Sequence, residues 1–206
     1  MSNPGFDYDL QKAMDQGNIF EKVFHRSRLN FWLSVVDYNK KKVLDIGCNT
    51  GILVIPLLER KVDIVGIDIA KEDIAKARQR LADKKFSPNR VGIACAEKLP
   101  FKAGSFDIVL MSDVLEHVSD PVLTAKEAIR VTKPGGIILA TVPNWWHPVV
   151  KYPWVRKLLS GREDIDEHLD TPFNKQKLIR LFRKTKIKEI RLIGFWSEIF
   201  GKFEKL

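Results

Sequence analysis

From Val43 onward, short apolar runs alternate with stretches of helical period. The runs at 43–46, 62–67, 91–95, 106–111 and 136–142 are rich in Val, Ile and Leu, as in strands covered on both faces. Helical segments at 51–60, 71–83 and 120–131 separate them. Alternation of this kind requires right-handed crossovers. It predicts a parallel, doubly wound α/β sheet with helices on both faces.

The breakers agree with these boundaries. Asp120-Pro121 reads as an N-cap followed by proline at the first helical position, and Lys133-Pro134-Gly135-Gly136 as a helix stop and turn. Pro56 is tolerable only near the first turn of its helix. Upstream, 7–17 and 19–38 read as helices, the second with an imperfect stripe of Phe20, Val23, Phe24, Phe31, Leu33 and Val35. They are expected to form a cap. Downstream, Pro143, Pro148 and Pro153 punctuate an aromatic-rich insertion. A helix is expected from Thr171 to about Lys184, and a sixth strand from Ile187 to Ile193. No seventh strand is legible, because Ser197 to Phe203 looks at least as helical as extended. The expectation is an incomplete C-terminal strand or a shortened chain.

The chemistry gathers at Val43-Leu44-Asp45-Ile46-Gly47-Cys48-Asn49-Thr50-Gly51, a strand that ends in a carboxylate and breaks into a glycine loop. Gly47 and Gly51 allow close backbone approach to a ligand. A second run stops at Asp68, where a carboxylate can accept hydrogen bonds from ribose hydroxyls. Dinucleotides and S-adenosylmethionine compete for this geometry. A pyrophosphate against the first turn would be repelled by Asp45 by about a few kcal/mol, whereas an α-ammonium and a sulfonium are attracted. The spacing G-x-x-x-G also lacks the three-glycine dinucleotide pattern.

On these residues the chain resembles the class I S-adenosylmethionine-dependent methyltransferases, and four further blocks follow in that family's order: IVGIDIA, ACAEKLPF, FDIVLMSDVLEHV and KPGGIILATVPN. The LPF turn and the VLEHV segment are most similar to the small-molecule branch that includes ubiquinone-type O-methyltransferases. The resemblance implies a Rossmann-like fold and S-adenosyl-L-methionine as cofactor. It implies that Asp45, Gly47, Cys48, Asn49 and Gly51 form the donor loop, and that Asp68 holds the ribose. Ile69 would pack on the adenine, Ala96 and Glu97 would line its edge, and Ser112 with Asp113 would border the methionine end. Family members usually end with an antiparallel strand after the sixth.

Methyl transfer from a sulfonium needs alignment and exclusion of water more than many catalytic groups. An oxygen acceptor of high pKa still needs a base, and histidine suits neutral pH. His117, after the fourth strand, is the first candidate; orienting its loop is the competing role. His147, His168 and His25 are alternatives. Trp145, Trp146, Tyr152 and Trp154 are candidates for an apolar acceptor pocket, and Trp145 and Trp146 with His25 and His147 make up the acceptor-binding set. Neither zinc spacing nor a carboxylate set for magnesium is visible, so no metal is expected.

At 206 residues and 45% hydrophobic, the chain suits one domain. It divides into a cap (1–40), a cofactor-binding core (41–144), a substrate-facing insertion (145–170) and a C-terminal helix and strand (171–206). No apolar run is long enough to span a membrane, and the two cysteines suit a reducing compartment, so a cytoplasmic protein is expected. The net charge of +9 reads as solvated helix faces or as attraction to an anionic substrate, RNA or lipid headgroups. Methyl transfer to oxygen, nitrogen or carbon of a small molecule is the leading expectation. An RNA or protein methyltransferase and a non-catalytic donor-binding module are the alternatives. Oligomeric state is not legible.

Overall fold

A computed structural model describes residues 19–147, 151–152, 154, 172–193 and 197–206. The expected helix at 7–17, the side chains of Phe20 and Phe24, and His168 lie outside the described residues.

Seven strands form one sheet in the order β3-β2-β1-β4-β5-β7-β6. They are β1 (Lys42–Ile46), β2 (Asp63–Asp68), β3 (Val91–Ile93), β4 (Phe106–Ser112), β5 (Thr132–Pro143), β6 (Thr185–Ile193) and β7 (Glu198–Lys205). β1 to β5 pair in parallel, and β7 runs antiparallel to both β5 and β6. The chain builds outward from β1 to β3, then returns to lay β4 on the other side of β1. Strand order therefore reverses between β1 and β4, and a crevice at the carboxyl ends of these two strands is where such sheets bind ligands.

Among the described residues, five α-helices cover the faces: α1 (Ile19–Ser34), α2 (Val54–Glu59), α3 (Lys71–Asp83), α4 (Pro121–Val131) and α5 (Lys175–Leu181). Trp32 and Leu33 of α1, Ile55 and Leu58 of α2, and Ile74, Ala77 and Leu81 of α3 pack with Val43, Ile64 and Leu110 on one face. Ala125, Ala128 and Val131 of α4 and Leu178 of α5 pack with Leu44, Ile46, Val109 and Met111 on the other. Successive β1 residues thus feed opposite cores, which is why its sequence is apolar without alternation.

The seventh strand corrects the expectation of an incomplete sheet. β7 lies between β5 and β6, with Phe200 buried in one core and Ile199 and Phe203 in the other. Coverage on both faces removed the alternation that would have marked it as extended. The Lys133-Pro134-Gly135-Gly136 turn is likewise part of β5. Pairing with β4 jumps from Phe106↔Thr132 to Ile108↔Ile137, so the turn is accommodated as a bulge. A Cβ on Gly136 would come within 2.7 Å of Thr132 Cγ2 and 2.9 Å of the Asp107 carbonyl oxygen.

Several boundaries are tighter than the pattern suggested. α1 stops at Ser34, whose hydroxyl donates to the Asn30 carbonyl at 2.8 Å, and Tyr38 turns back to donate to the Trp32 carbonyl at 2.6 Å. α2 begins at Val54 because Gly51, at φ +82°, is left-handed. Pro56 accordingly sits in its first turn. β3 ends at Ile93, and α5 begins only after Asn174, whose side chain caps the Lys177 N–H at 2.9 Å.

Candidate active site

The glycine loop leaves β1 at the reversal point and is tied down from β2 and α3. The Gly47 and Cys48 N–H groups both donate to the Ile67 carbonyl, at 2.8 and 2.9 Å, and Gly51 N–H donates to the Cys48 carbonyl at 2.9 Å. Asn49 adopts φ +47°, a left-handed conformation that asparagine tolerates better than most residues. Its side-chain amide donates to Asp73 at 3.0 Å, and Arg80 donates to the Thr50 carbonyl at 2.6 Å. Gly47, at φ +72°, is required twice: a Cβ there would also lie 2.5 Å from Val114 Cγ2.

Asp45 sits at the end of β1 with 2% of its surface exposed. Burial first, and the nearby Asp68 charge second, push its carboxyl from 3.8 up to about 8. Cys48 beside it is raised by burial and then by the same two acids. A buried acid with a second acid as neighbour gains most from a cationic group delivered into the crevice. The loop, the glycine clearance and this acid fit the amino-acid head of S-adenosylmethionine.

Asp68 ends β2. One carboxylate oxygen accepts from the Asn49 N–H and the other from the Ala70 N–H, both at 2.9 Å. It therefore shapes the loop, and its remaining lone pairs are those available to a ribose. Ile69, next in sequence, is 70% exposed. An isoleucine so exposed beside a polar crevice is suited to an apolar ring laid over it. Ala96 and Glu97 follow β3. Glu97 bridges segments: it accepts from the Cys95 thiol at 2.8 Å and from the Ser119 N–H at 3.0 Å. Burial alone would raise its carboxyl, but these hydrogen bonds and those from neighbouring backbone hold it below the ordinary range.

Ser112 closes β4, and Asp113 follows at φ +53°. The Asp113 N–H donates to the Thr141 carbonyl at 3.3 Å, and the Thr141 hydroxyl donates to its carboxylate at 2.8 Å. Arg28 of α1 reaches this corner. Its guanidinium bonds Asp113, donates to Ser112 Oγ at 3.3 Å and pairs with Glu198 of β7 at 3.0 Å. Arg28 was absent from the sequence-based candidates. Its signal was the spacing His25, Arg28, Trp32, one face of α1, whose other two members are buried. The crevice thus has an acid on one side, Asp45, and a guanidinium on the same sheet edge, Arg28.

His117 lies in an exposed turn after β4, its N–H donating to the Val114 carbonyl at 3.0 Å. His25 is buried on α1. Trp145, Trp146 and His147 follow β5, anchored by the Asn144 N–H on the Ser197 carbonyl at 2.7 Å and the Trp145 N–H on the Phe173 carbonyl at 3.2 Å. Trp146 is 70% exposed. Among the described residues, no three His, Cys, Asp or Glu side chains gather as a metal site.

Residues 44–140 match a family described as a methyltransferase domain. A ubiquinone biosynthesis O-methyltransferase of Cronobacter sakazakii is 28% identical over 171 residues, 80% of this chain and 69% of that protein. One of the same description from Pseudomonas aeruginosa is 35% identical over 103 residues, 50% of this chain and 44% of that protein. The chain thus spans between under half and about two thirds of these curated relatives. A Pyrococcus horikoshii structure superposes with a TM-score of 0.76 at 20% identity, covering 98% of this chain and 100% of that one. At that identity the likeness shows the fold.

Proposed function

We propose that the chain is a class I S-adenosylmethionine-dependent methyltransferase and that it methylates a small-molecule acceptor held at the carboxyl ends of β4 and β5. The observation that carries the donor half is Asp45, a buried carboxylate at the strand-order reversal whose charge a cationic amino-acid head would restore. The bound donor supplies a methyl group on an already activated sulfur. The protein's own work is alignment and dryness.

In this reading Gly47, Cys48, Asn49 and Gly51 approach the donor's backbone-like end, with Asp45 against its ammonium. Asp68 accepts from the ribose, Ile69 and Ala96 flank the adenine, and the Glu97 bridge fixes the loop that does so. Ser112, held by Arg28, borders the reacting end. His117 stands on the acceptor side as general base, and His25, Trp145, Trp146 and His147 bound the acceptor space. The two free cysteines suit a cytoplasmic setting.

Small-molecule methylation is favoured over RNA or protein methylation by the curated relatives of the same description, which are ubiquinone biosynthesis O-methyltransferases. The non-catalytic alternative rested on an incomplete sheet, and β7 removes that ground. The test is methyl-labelled donor mixed with the protein and either a phenolic metabolite pool or RNA. Label in the small-molecule fraction is expected; label confined to RNA or protein overturns the assignment.

A further inference from the structure

Asp113 holds a backbone conformation that needs support from outside. It lies at φ +53°, left-handed for a residue with a Cβ, directly after β4 at the ligand-binding edge of the sheet. Strained positions of this kind persist where the surroundings over-determine them, and they gather at functional sites. Two residues supply the support here. The Asp113 N–H donates to the Thr141 carbonyl at 3.3 Å, and the Thr141 hydroxyl donates to the Asp113 carboxylate at 2.8 Å. The Arg28 guanidinium bonds the same carboxylate, donates to Ser112 Oγ at 3.3 Å and pairs through Nε with Glu198 at 3.0 Å.

Attachment of α1 does not by itself call for Arg28. Trp32 and Leu33 already bury that helix in the core. Arg191 of β6 also ties it to β7, its guanidinium carbon 5.2 Å from the ring centre of Phe31 and 5.5 Å from that of Phe200. What Arg28 adds is a planar fork aimed at one corner of the crevice, a geometry that a lysine ammonium does not reproduce. That corner is joined to the donor loop. Val114, next after Asp113, packs so closely on Gly47 that a Cβ on the glycine would lie 2.5 Å from Val114 Cγ2. The same turn carries His117, whose N–H donates to the Val114 carbonyl at 3.0 Å. A shift of Asp113 therefore reaches both the donor loop and the proposed base.

We propose that Arg28 is a positioning residue for methyl transfer, acting through Asp113 to fix the turn that carries Val114 and His117 against the donor loop. This role rests on the methyl-transfer reading of the crevice. Arg28 acts on alignment, so its loss is felt in the chemical step more than in donor binding.

The full chain should be assayed with methyl-labelled donor and a phenolic metabolite pool, as wild type and as Arg28→Ala, Arg28→Lys, Thr141→Val and Arg191→Ala. Arg28→Ala is expected to lower the maximal rate by about tenfold or more while the donor KM changes by less than about threefold. Arg28→Lys keeps the charge without the fork; it should show the same split in smaller measure, and it serves where the alanine variant does not fold. Thr141→Val should also slow transfer, and the Arg28→Ala/Thr141→Val pair should lose less than the product of the two effects, because both residues act on one carboxylate. Arg191→Ala loosens α1 from β7 without touching Asp113, and its rate should stay within about twofold of wild type. Amide exchange with S-adenosylhomocysteine bound gives a second readout: Asp113 and His117 should exchange about tenfold faster in Arg28→Ala and as in wild type in Arg191→Ala. An unchanged maximal rate in the Arg28 variants, a loss matched by Arg191→Ala, or unaltered exchange at Asp113 would each overturn the role of Arg28. Wild type that labels nothing contradicts the methyl-transfer reading instead, and the exchange comparison then decides for or against Arg28.

Discussion

At the residue scale, the site rests on a few positions whose backbone leaves little choice. Gly47→Ala places a methyl group 2.5 Å from Val114 at φ +72°. It is expected to cost about 1–3 kcal/mol of stability and to weaken donor binding at least as much, as denaturant melts and calorimetry would show. Asp68→Ala removes the proposed ribose acceptor and the hydrogen bonds to the Asn49 and Ala70 N–H groups, so donor affinity should fall by about one to a few kcal/mol; an unchanged dissociation constant would remove Asp68 from the site. Asp45 has a folded-state carboxyl pushed up to about 8 from 3.8. A raised acid favours the native state fully below its unfolded value and loses that contribution as pH climbs through the folded one. The ligand-free protein should therefore lose stability between about pH 4 and pH 8, and Asp45→Asn should flatten that decline in thermal melts. Asp45, Gly47 and Asp68 were legible because a strand end, a glycine turn and an acid at the next strand end follow one another in the chain. Arg28 was not, because its partners Asp113 and Glu198 are joined to it only by folding.

At the scale of elements, the sequence marked those whose ends carry their own chemistry. Asp120 caps α4 with its side chain on the Val122 and Leu123 N–H groups, both at 2.9 Å, ahead of Pro121. The α3 bounds match those read from its period. β7 escaped because burial on both faces erases period two, and the spacing of Ile199, Phe200 and Phe203 imitates a helix. Its place between β5 and β6 makes it a structural strand. Phe203→Ala removes a ring stacked on Phe182 at 4.2 Å and should cost about 3–5 kcal/mol in denaturant unfolding. A loss under about 1 kcal/mol would mean that β7 does not close this core.

At the scale of the whole molecule, one sheet edge gathers residues that are far apart in sequence: Arg28 from the cap, Asp45 and Ser112 from adjacent central strands, Thr141 from β5 and Glu198 from β7. Arg28 joins α1 to both β4 and β7. Arg28→Ala should cost about 1–3 kcal/mol and loosen α1, read as faster amide exchange in α1 than in β1. The order of elements, and hence the reversal between β1 and β4, was legible from hydrophobic patterning, and the loop motif supplied the donor. The proposed acceptor face draws on α1, the turn after β4 and the segment after β5, which hydrophobic patterning alone does not bring together. The account as a whole turns on Asp45 meeting a cation, and calorimetry of donor binding across pH in buffers of different ionisation enthalpy tests this directly. Wild type should release about one proton on binding below pH 8, bind about tenfold more weakly per unit as pH falls, and lose both behaviours in Asp45→Asn. Affinity that is independent of pH and equal in the variant would contradict the account.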